Sequence, residues 1–444
     1  MGATNENAKY ITNEAEVGFP PLQSSRKAVW DYYRIEFLQD GYPGRRTEDE
    51  LFAHPIYGPY VIADYVHQYR VTKDHAYLDA AKAVADAAVA HMTPVGDGLA
   101  FIYSQEKTKV SRKKGSWYSG LTQARYVDVF NKLLALPETE RFREPLSAIL
   151  ASLEVPVEDG GVAETADNGG LIIEEYPSLA PDCTLNGWTT ATVILRDYAK
   201  AKDDDQAWDL FHRSVRGLES LIPIYDVPQY ATSRYKLKGP AAIYLQAEGT
   251  EVTVKSIQVD MPGAGVFDAN SDLDPGGAAL ARGPRRIKSG YRQSFTVELS
   301  RRTFPAPNRV LFTVESAGEG TLKASVGDNV FDPMTSLVVP EFANELGSFP
   351  IVEGENVVEV SIPWTEAEII AYPTNFGKAI AGRQFNQYHW IHVDTLSKIV
   401  DTSDSDLLRY YRDRWQKFPS RWPEIREYQD DRITLERFDP KKHK

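Results

Sequence analysis

A helical domain built from hairpins, with an antiparallel β-sandwich inserted late in the chain, is the fold the sequence predicts. Three observations carry it. Apolar residues recur at three- and four-residue spacings from about residue 57 to 222 and again from 388 to 418. Between about 240 and 372 that period gives way to alternation of apolar and polar residues, broken by turn clusters such as PGAG, DPGG, GEG and GEN. Short Pro, Asp and Gly breaks separate the helical stretches. The class is α+β multidomain: residues 1–239 form the first part of an (α/α) toroid-like domain, 240–372 the inserted β module, and 373–444 the closing helical part with a C-terminal strap.

Taken in order, the spacing predicts helices over 26–40, 57–71, 75–92, 116–136, 141–154, 187–201 and 205–222. In 75–92 the alanine-rich run puts Leu78, Ala81, Val84, Ala85 and Val89 on one face, where small residues let helices approach closely. An extended helical solenoid fits the same periodicity, because no repeating motif separates it from a ring. The runs TEVTVKSIQV, RQSFTVELS, RVLFTVES, TLKASVG and NVVEVSIPW read as strands of the sandwich. Residues 388–400 and 403–418 read as a last hairpin, and the charged tail from Pro419 as a surface strap.

Composition narrows the function classes. A net charge of −13 argues against nucleic-acid binding, since phosphate contacts need a basic face. An anionic ligand therefore needs a local basic patch, and the candidates are Lys107–Lys114 and Arg282–Lys288. No run of 18 or more apolar residues and no apolar leader occurs, so the chain as given is expected to be soluble and without a signal peptide or membrane span. The single cysteine, Cys183, excludes an internal disulfide and is read as structural. Twenty-four Tyr and 8 Trp provide both core aromatics and the flat faces on which sugar rings stack.

The stretch that concentrates chemistry is GGLIIEEYPSLAPDCTLNGWTTATVILR, residues 169–196. It sets Glu174, Glu175 and Tyr176 on an extended run that Pro177 stops. Thr184 and Asn186 are placed to cap a helix beginning at Gly187 or Trp188. Two further stretches join it: YDVPQYATSRYKLK (225–238) and QYHWIHVD (387–394). His389 and His392 share a helix face, but two histidines without a clear third ligand do not make a zinc site, so no metal is expected.

These pieces carry a family resemblance. EEYP (174–177) followed by LNG (185–187), with WYSGLTQA (117–124), ESLIPIYD (219–226), YKLK (235–238) and YHWIHVDTL (388–396), resembles the C-terminal helical domain of D-glucuronyl C5-epimerases, over about a third of the chain. The family turns glucuronate into iduronate in heparosan-type chains. The resemblance implies catalytic roles for Glu175, Tyr176, Tyr235 and Tyr388, with Glu175 and Tyr388 as the pair facing C5. Substrate contacts are expected from Lys238, Trp117, Tyr118, Asn186, His389, His392 and Arg383. Lys238 stands where the family has an arginine, which replaces a carboxylate-gripping fork by a point charge. The chain also departs in carrying its β module between Tyr235 and Tyr388 rather than ahead of the helices.

The chemistry explains these residue types. Inverting C5 of a uronate removes a proton α to a carboxylate and returns one to the opposite face, so the charge that develops needs cations or donors nearby. A tyrosine, with an ordinary pKa of ~10, acts as a base near neutrality only beside a cation or buried donors. No cofactor is needed. The expected partner is an anionic uronate-containing polysaccharide, with no nucleic acid and no membrane, and a homodimer stays open. A polysaccharide lyase is the alternative enzyme, since β-elimination starts from the same proton; a non-catalytic glycan-binding protein is the alternative outside catalysis.

Overall fold

The computed structural model describes residues 13–23, 30, 34–46, 50–104, 116–269, 280, 283–303, 305–331, 338–363, 379–380, 383–429, 431 and 433–439. The expected basic patch at Lys107–Lys114 and the start of the one at Arg282 lie outside them. The chain divides into two compact units. One comprises Met1–Ala163, Glu175–Pro177 and Ile194–Phe211; the other comprises Glu164–Glu174, Ser178–Val193 and His212–Lys444.

In the first unit three short strands, β1 (Ile35–Phe37), β2 (Pro43–Arg46) and β3 (Leu51–Ala53), form an antiparallel sheet in that order. The helix expected over 26–40 is borne out at Trp30, which is helical, and contradicted from residue 34 onward, where the chain turns into β1. Ile35 and Phe37 are buried while Glu36 between them is less so, a period of two, and Arg34 before them sits at φ 53, which no helix continues through. Helices α1 (Tyr57–Thr72) and α2 (His75–His91) follow as a packed hairpin, then hairpin β4 (Thr93–Val95) and β5 (Gly98–Ala100). Leu78, Ala81, Val84 and Ala85 of α2 are fully buried as the alanine pattern requires, and Asp74 caps the helix by accepting from the Ala76 amide at 3.0 Å. Strands β6 (Tyr103–Ser104) and β7 (Ser116–Trp117) pair, and α3 (Gly120–Leu133) packs on α4 (Arg143–Ala151) and on α1. Gly58 in the first turn of α1 is required by packing, because a Cβ there would lie 2.6 Å from the hydroxyls of both Tyr42 and Tyr126.

The strands β8 (Ala163–Thr165) and β9 (Leu171–Ile173) precede α5 (Leu185–Lys202) and α6 (Asp205–Leu221). Strands β10 (Asp226–Val227) and β11 (Thr232–Ser233) then lead into the β region. There β12 (Lys238–Glu248), β16 (Arg292–Ser300), β18 (Gly320–Phe331) and β19 (Val338–Ile351) form one antiparallel sheet in the order β16-β12-β18-β19. A second sheet holds β13 (Val252–Met261), β14 (Gly265–Asp268), β15 (Arg285–Ile287), β17 (Asn308–Ser316) and β20 (Gly354–Ile362), in the order β14-β13-β17-β20 with β15 also on β13. Residues from both sheets, among them Ile243, Phe295, Phe312 and Val360, belong to one continuous apolar cluster. Each such side chain contributes about 1.5–3 kcal/mol through burial.

The chain ends in β21 (Ala379–Ile380), β22 (Arg383–Phe385), α7 (Gln387–Val400), α8 (Asp406–Lys417) and β23 (Ile433–Thr434). The tail from Pro419 is mostly exposed or half-buried, as its charge suggests, but is pinned by buried aromatic side chains. Trp422 and Tyr428 are buried, and the Trp422 indole donates to the carbonyl of Ala231 at 2.7 Å. Two aromatic anchors outweigh the surrounding charge, because each buries far more apolar area than any neighbour leaves exposed.

A row of buried polar groups ties α7 to β11. The Ser233 amide donates to Nδ1 of His389 at 3.1 Å, so the imidazole proton sits on Nε2 and donates to the carbonyl of Trp415 at 3.0 Å. The Ser233 hydroxyl also meets Nδ1 of His392 at 2.7 Å. Burial lowers His389 to about 4 against the pull of its bond to Trp415, and lowers His392 well below its ordinary value. The unfolded chain takes up a proton near the ordinary histidine value of 6.5 while the folded one does so only near 4, so stability falls as pH drops through that window. Urea melts between pH 4.5 and 7.5 are expected to show a rise of roughly 3 kcal/mol with pH from His389 alone, and His389→Gln is expected to flatten it. Trp422→Ala should cost about 3–5 kcal/mol, read as a fall in the urea midpoint.

Candidate functional site

Strand β9 leads directly into the acids of the focal run. All three of its residues are buried, and Glu174 after them is fully buried too. A carboxylate so placed needs donors. The amide of Cys183 supplies one, at 3.0 and 3.2 Å from the two oxygens of Glu174, while the Tyr225 hydroxyl donates to the Cys183 carbonyl at 2.5 Å. Cys183 adopts φ 49, and burial pushes its thiol well up, with the charge of Glu174 acting in the same direction. The thiol is therefore a packed, protonated group at the point where the loop turns back.

The loop is held on its other side by backbone. The Leu185 amide donates to the Tyr235 carbonyl and the Leu237 amide to the Asp182 carbonyl, both at 2.9 Å. These bonds fix the YKLK segment against the start of α5. Behind them β9 and α6 meet backbone to backbone: a Cβ on Gly170 would lie 2.1 Å from the Gly217 nitrogen. The expected caps are not made as predicted. Helix α5 begins at Leu185, so Asn186 lies inside its first turn, and the Thr184 hydroxyl has no hydrogen-bond partner among the described residues.

Within the first unit, Glu175 and Tyr176 belong to an aromatic row. The Tyr176 ring tilts against Trp117 at 5.6 Å, Trp117 stacks on Tyr103 at 4.4 Å with planes 6° apart, and Tyr103 meets His54 edge-on at 5.6 Å. The pairing of β6 with β7 brings Tyr103 onto Trp117. Tyr103 is held far above its ordinary value, first by burial, with the charge of Glu175 adding to the rise. Glu175 is thus a nearly buried acid, 7% exposed, whose field reaches this row. Tyr176 remains partly exposed. Tyr118 does not join it: its ring is fully buried and its hydroxyl donates to the Ser152 carbonyl at 2.6 Å, so it serves packing instead of substrate.

Within the second unit the structure brings Tyr235 and Tyr388 together. Their ring centroids lie 4.6 Å apart with planes at 57°, and both rings are partly exposed. Tyr388 opens α7, which Asn386 caps by accepting from the His389 amide. His389 and His392 are fully buried in the row described above, so their side chains do not reach a surface where the expected substrate contact could form. Arg383 lies on β22, its backbone paired with Ile380, and its side chain falls outside the described part.

Lys238 is the clearest correction. It was expected to meet the substrate carboxylate, yet it is only 4% exposed. Its ammonium donates to the Ala180 carbonyl at 2.7 Å, lies 2.9 Å from Asp182 and 3.8 Å from Glu298. Burial alone would lower its pKa; Asp182 and Glu298 outweigh burial and raise it. A lysine with its charge committed to two buried carboxylates is a fastener. Sequence reasoning missed Asp182 and Glu298 because an acid two residues before LNG and another inside a strand have no pattern that pairs them with a distant lysine. Lys238→Met would remove the nearest cation from two buried carboxylates, of which Asp182 keeps Lys236 at 3.7 Å. The expected loss is about 3–5 kcal/mol in the urea midpoint, larger than for Lys236→Met on the more exposed neighbour.

Residues 96–246 match the family model of the D-glucuronyl C5-epimerase C-terminus. The chain is 24% identical over 132 residues to an uncharacterized protein of Methanocaldococcus jannaschii, covering 29% of this chain and 42% of that protein, so it spans less than half of that relative. Among solved structures it is similar to the GH76A α-1,6-mannanase of Salegentibacter sp. HEL1_6, with a TM-score of 0.32 and 10% identity over 51% of this chain and 56% of that one. It is also similar to the cellobiose 2-epimerase of Bacillus thermoamylovorans B4167, with a TM-score of 0.30 and 11% identity over 42% and 50%. Likenesses at those scores are too loose to bear on activity. The stretch from 96 to 246, about a third of the chain, holds WYSGLTQA, EEYP, LNG and YKLK and is similar to the D-glucuronyl C5-epimerase C-terminus.

Proposed function

We propose that the chain is a uronyl C5-epimerase acting on a glucuronate-containing polysaccharide, on an (α/α) helical frame with the two sheets of 240–372 as an inserted sandwich. The observation that carries this reading is the contact of Tyr235 with Tyr388. Two partly exposed phenols, separated in sequence by the whole β region, meet at 4.6 Å. Both hydroxyls belong to the stretches, YKLK and YHWIHVDTL, that carry the family resemblance.

The distance also constrains their roles. Centroids 4.6 Å apart are in direct ring contact, so no pyranose fits between them and both serve the same face of any sugar. One therefore carries the proton and the other positions it. We assign the transfer to Tyr388, at the exposed start of a helix anchored by His389, and the positioning to Tyr235. The family resemblance names Glu175 as a second acid–base group, and within the first unit Tyr176 and Trp117 offer aromatic surface. Lys238 is excluded as the neutraliser of the substrate carboxylate by its own ion pairs.

Incubation with heparosan in D2O tests this directly. Deuterium entering C5, with iduronate signals and no ultraviolet absorbance of unsaturated uronate, is the expected result. Rising absorbance with chain shortening would make the protein a lyase, and neither signal on any glucuronate polymer would leave glycan binding without catalysis. Tyr388→Phe and Glu175→Gln are each expected to lower exchange by about 10²–10⁴-fold, the usual weight of a general acid or base. Tyr235→Phe should cost less and displace the pH profile of the remaining exchange, which loss of packing alone would not do.

A further inference from the structure

The surface where α8 runs into the turn that follows it carries cations that the fold does not use. Tyr410, Arg414 and Lys417 lie at intervals of four and three on one face of α8, and Arg421 follows in the 3-10 turn Phe418–Glu424. With Asp413, Phe418 and Ser420 they line an open hollow of about 520 Å³, within the size range of small-ligand sites. Three of these side chains are cationic and one is acidic, on a protein whose net charge is −13.

The cations are not equivalent. Arg414 is fixed by Asp226, whose carboxylate it meets at 3.0 Å, and its guanidinium lies over the Phe418 ring at 5.1 Å. Lys417 and Arg421 are exposed, and among the described residues neither meets a carboxylate; Arg421 only donates to the Pro228 carbonyl at 3.1 Å. Tyr410 presents its ring 57% exposed beside them. A helix end favours basic residues in its last turn by about 0.3–1 kcal/mol, which accounts for Arg414 and Lys417 but not for Arg421 beyond the helix or for an uncovered tyrosine.

We propose that this stripe is an accessory site for a carboxylated or sulfated polysaccharide chain, with Tyr410 stacking a sugar ring and Lys417 and Arg421 meeting its acid groups. The proposal rests on the reading of the protein as an enzyme of anionic glycans. It adds a grip on sugar residues away from the reacting one, so that affinity depends on chain length.

Wild type, Lys417→Gln/Arg421→Gln and Tyr410→Ala are titrated with a heparosan decasaccharide and a tetrasaccharide at low and high salt. Exchange at C5 is followed on the tetrasaccharide. The double variant is expected to bind the decasaccharide about tenfold more weakly, to lose much of its salt dependence, and to turn over the tetrasaccharide like wild type. Tyr410→Ala should weaken decasaccharide binding without changing that salt dependence. Unchanged decasaccharide binding in both variants, with tetrasaccharide turnover intact, would overturn the accessory site alone. Absence of exchange on any substrate would overturn the enzymatic reading, and equal binding of poly-glutamate by this face would make it a surface for acidic peptides instead.

Discussion

A lysine ammonium removed from water has to be met by carboxylates and carbonyls, and Lys238 is met by Asp182, Glu298 and Ala180. That single requirement joins three parts of the second unit. Asp182 and Ala180 belong to the loop after EEYP, Lys238 begins the first strand of the β region, and Glu298 lies on the strand paired with it. Glu174 makes the same kind of demand a few residues earlier and closes the loop on the Cys183 amide. Buried charges do little for net stability compared with well-packed apolar groups, but they tolerate few alternative arrangements. The loop that displays Glu175 and Tyr176 is held by groups that would be costly to leave unmatched.

The β region interrupts the helical chain between Tyr235 and Tyr388 without separating them. It leaves at Lys238 and the chain returns through β22 to α7, where Asn386 donates to the Thr232 hydroxyl at 3.0 Å and His389 receives the Ser233 amide. These bonds bring the two ends of the insertion together. Antiparallel sheets with a shared apolar cluster fold upon themselves and ask of the host only that entry and exit lie close.

Charge is distributed unevenly over the molecule. Most basic side chains described here are engaged, such as Arg302 on Glu164, Arg141 on Asp86 and Arg46 on Glu36. Lys417 and Arg421 have no carboxylate partner among the described residues and lie beside the exposed Tyr410. A strongly acidic protein that leaves two cations unneutralised beside an open ring has a local field opposite to its mean field.

The sequence by itself determined the local elements. Three- and four-residue spacing marked α1, α2, α5, α6 and α7 to within a few residues, alternation marked β13, β16, β17 and β20, and EEYP with LNG marked the family. Those signals are legible because periodicity and capping depend on neighbours along the chain. Tertiary structure decided the rest. It made Ile35–Phe37 a strand, since its pairing partner lies beyond a turn; it drew Trp422 and Tyr428 inward from a charged tail; it turned Lys238 from an expected substrate contact into a fastener. It also set Tyr235 against Tyr388 and buried His389. Each of these depends on which distant side chain supplies the missing partner or the missing contact, and that partner is fixed by the path of the whole chain instead of by any window of it.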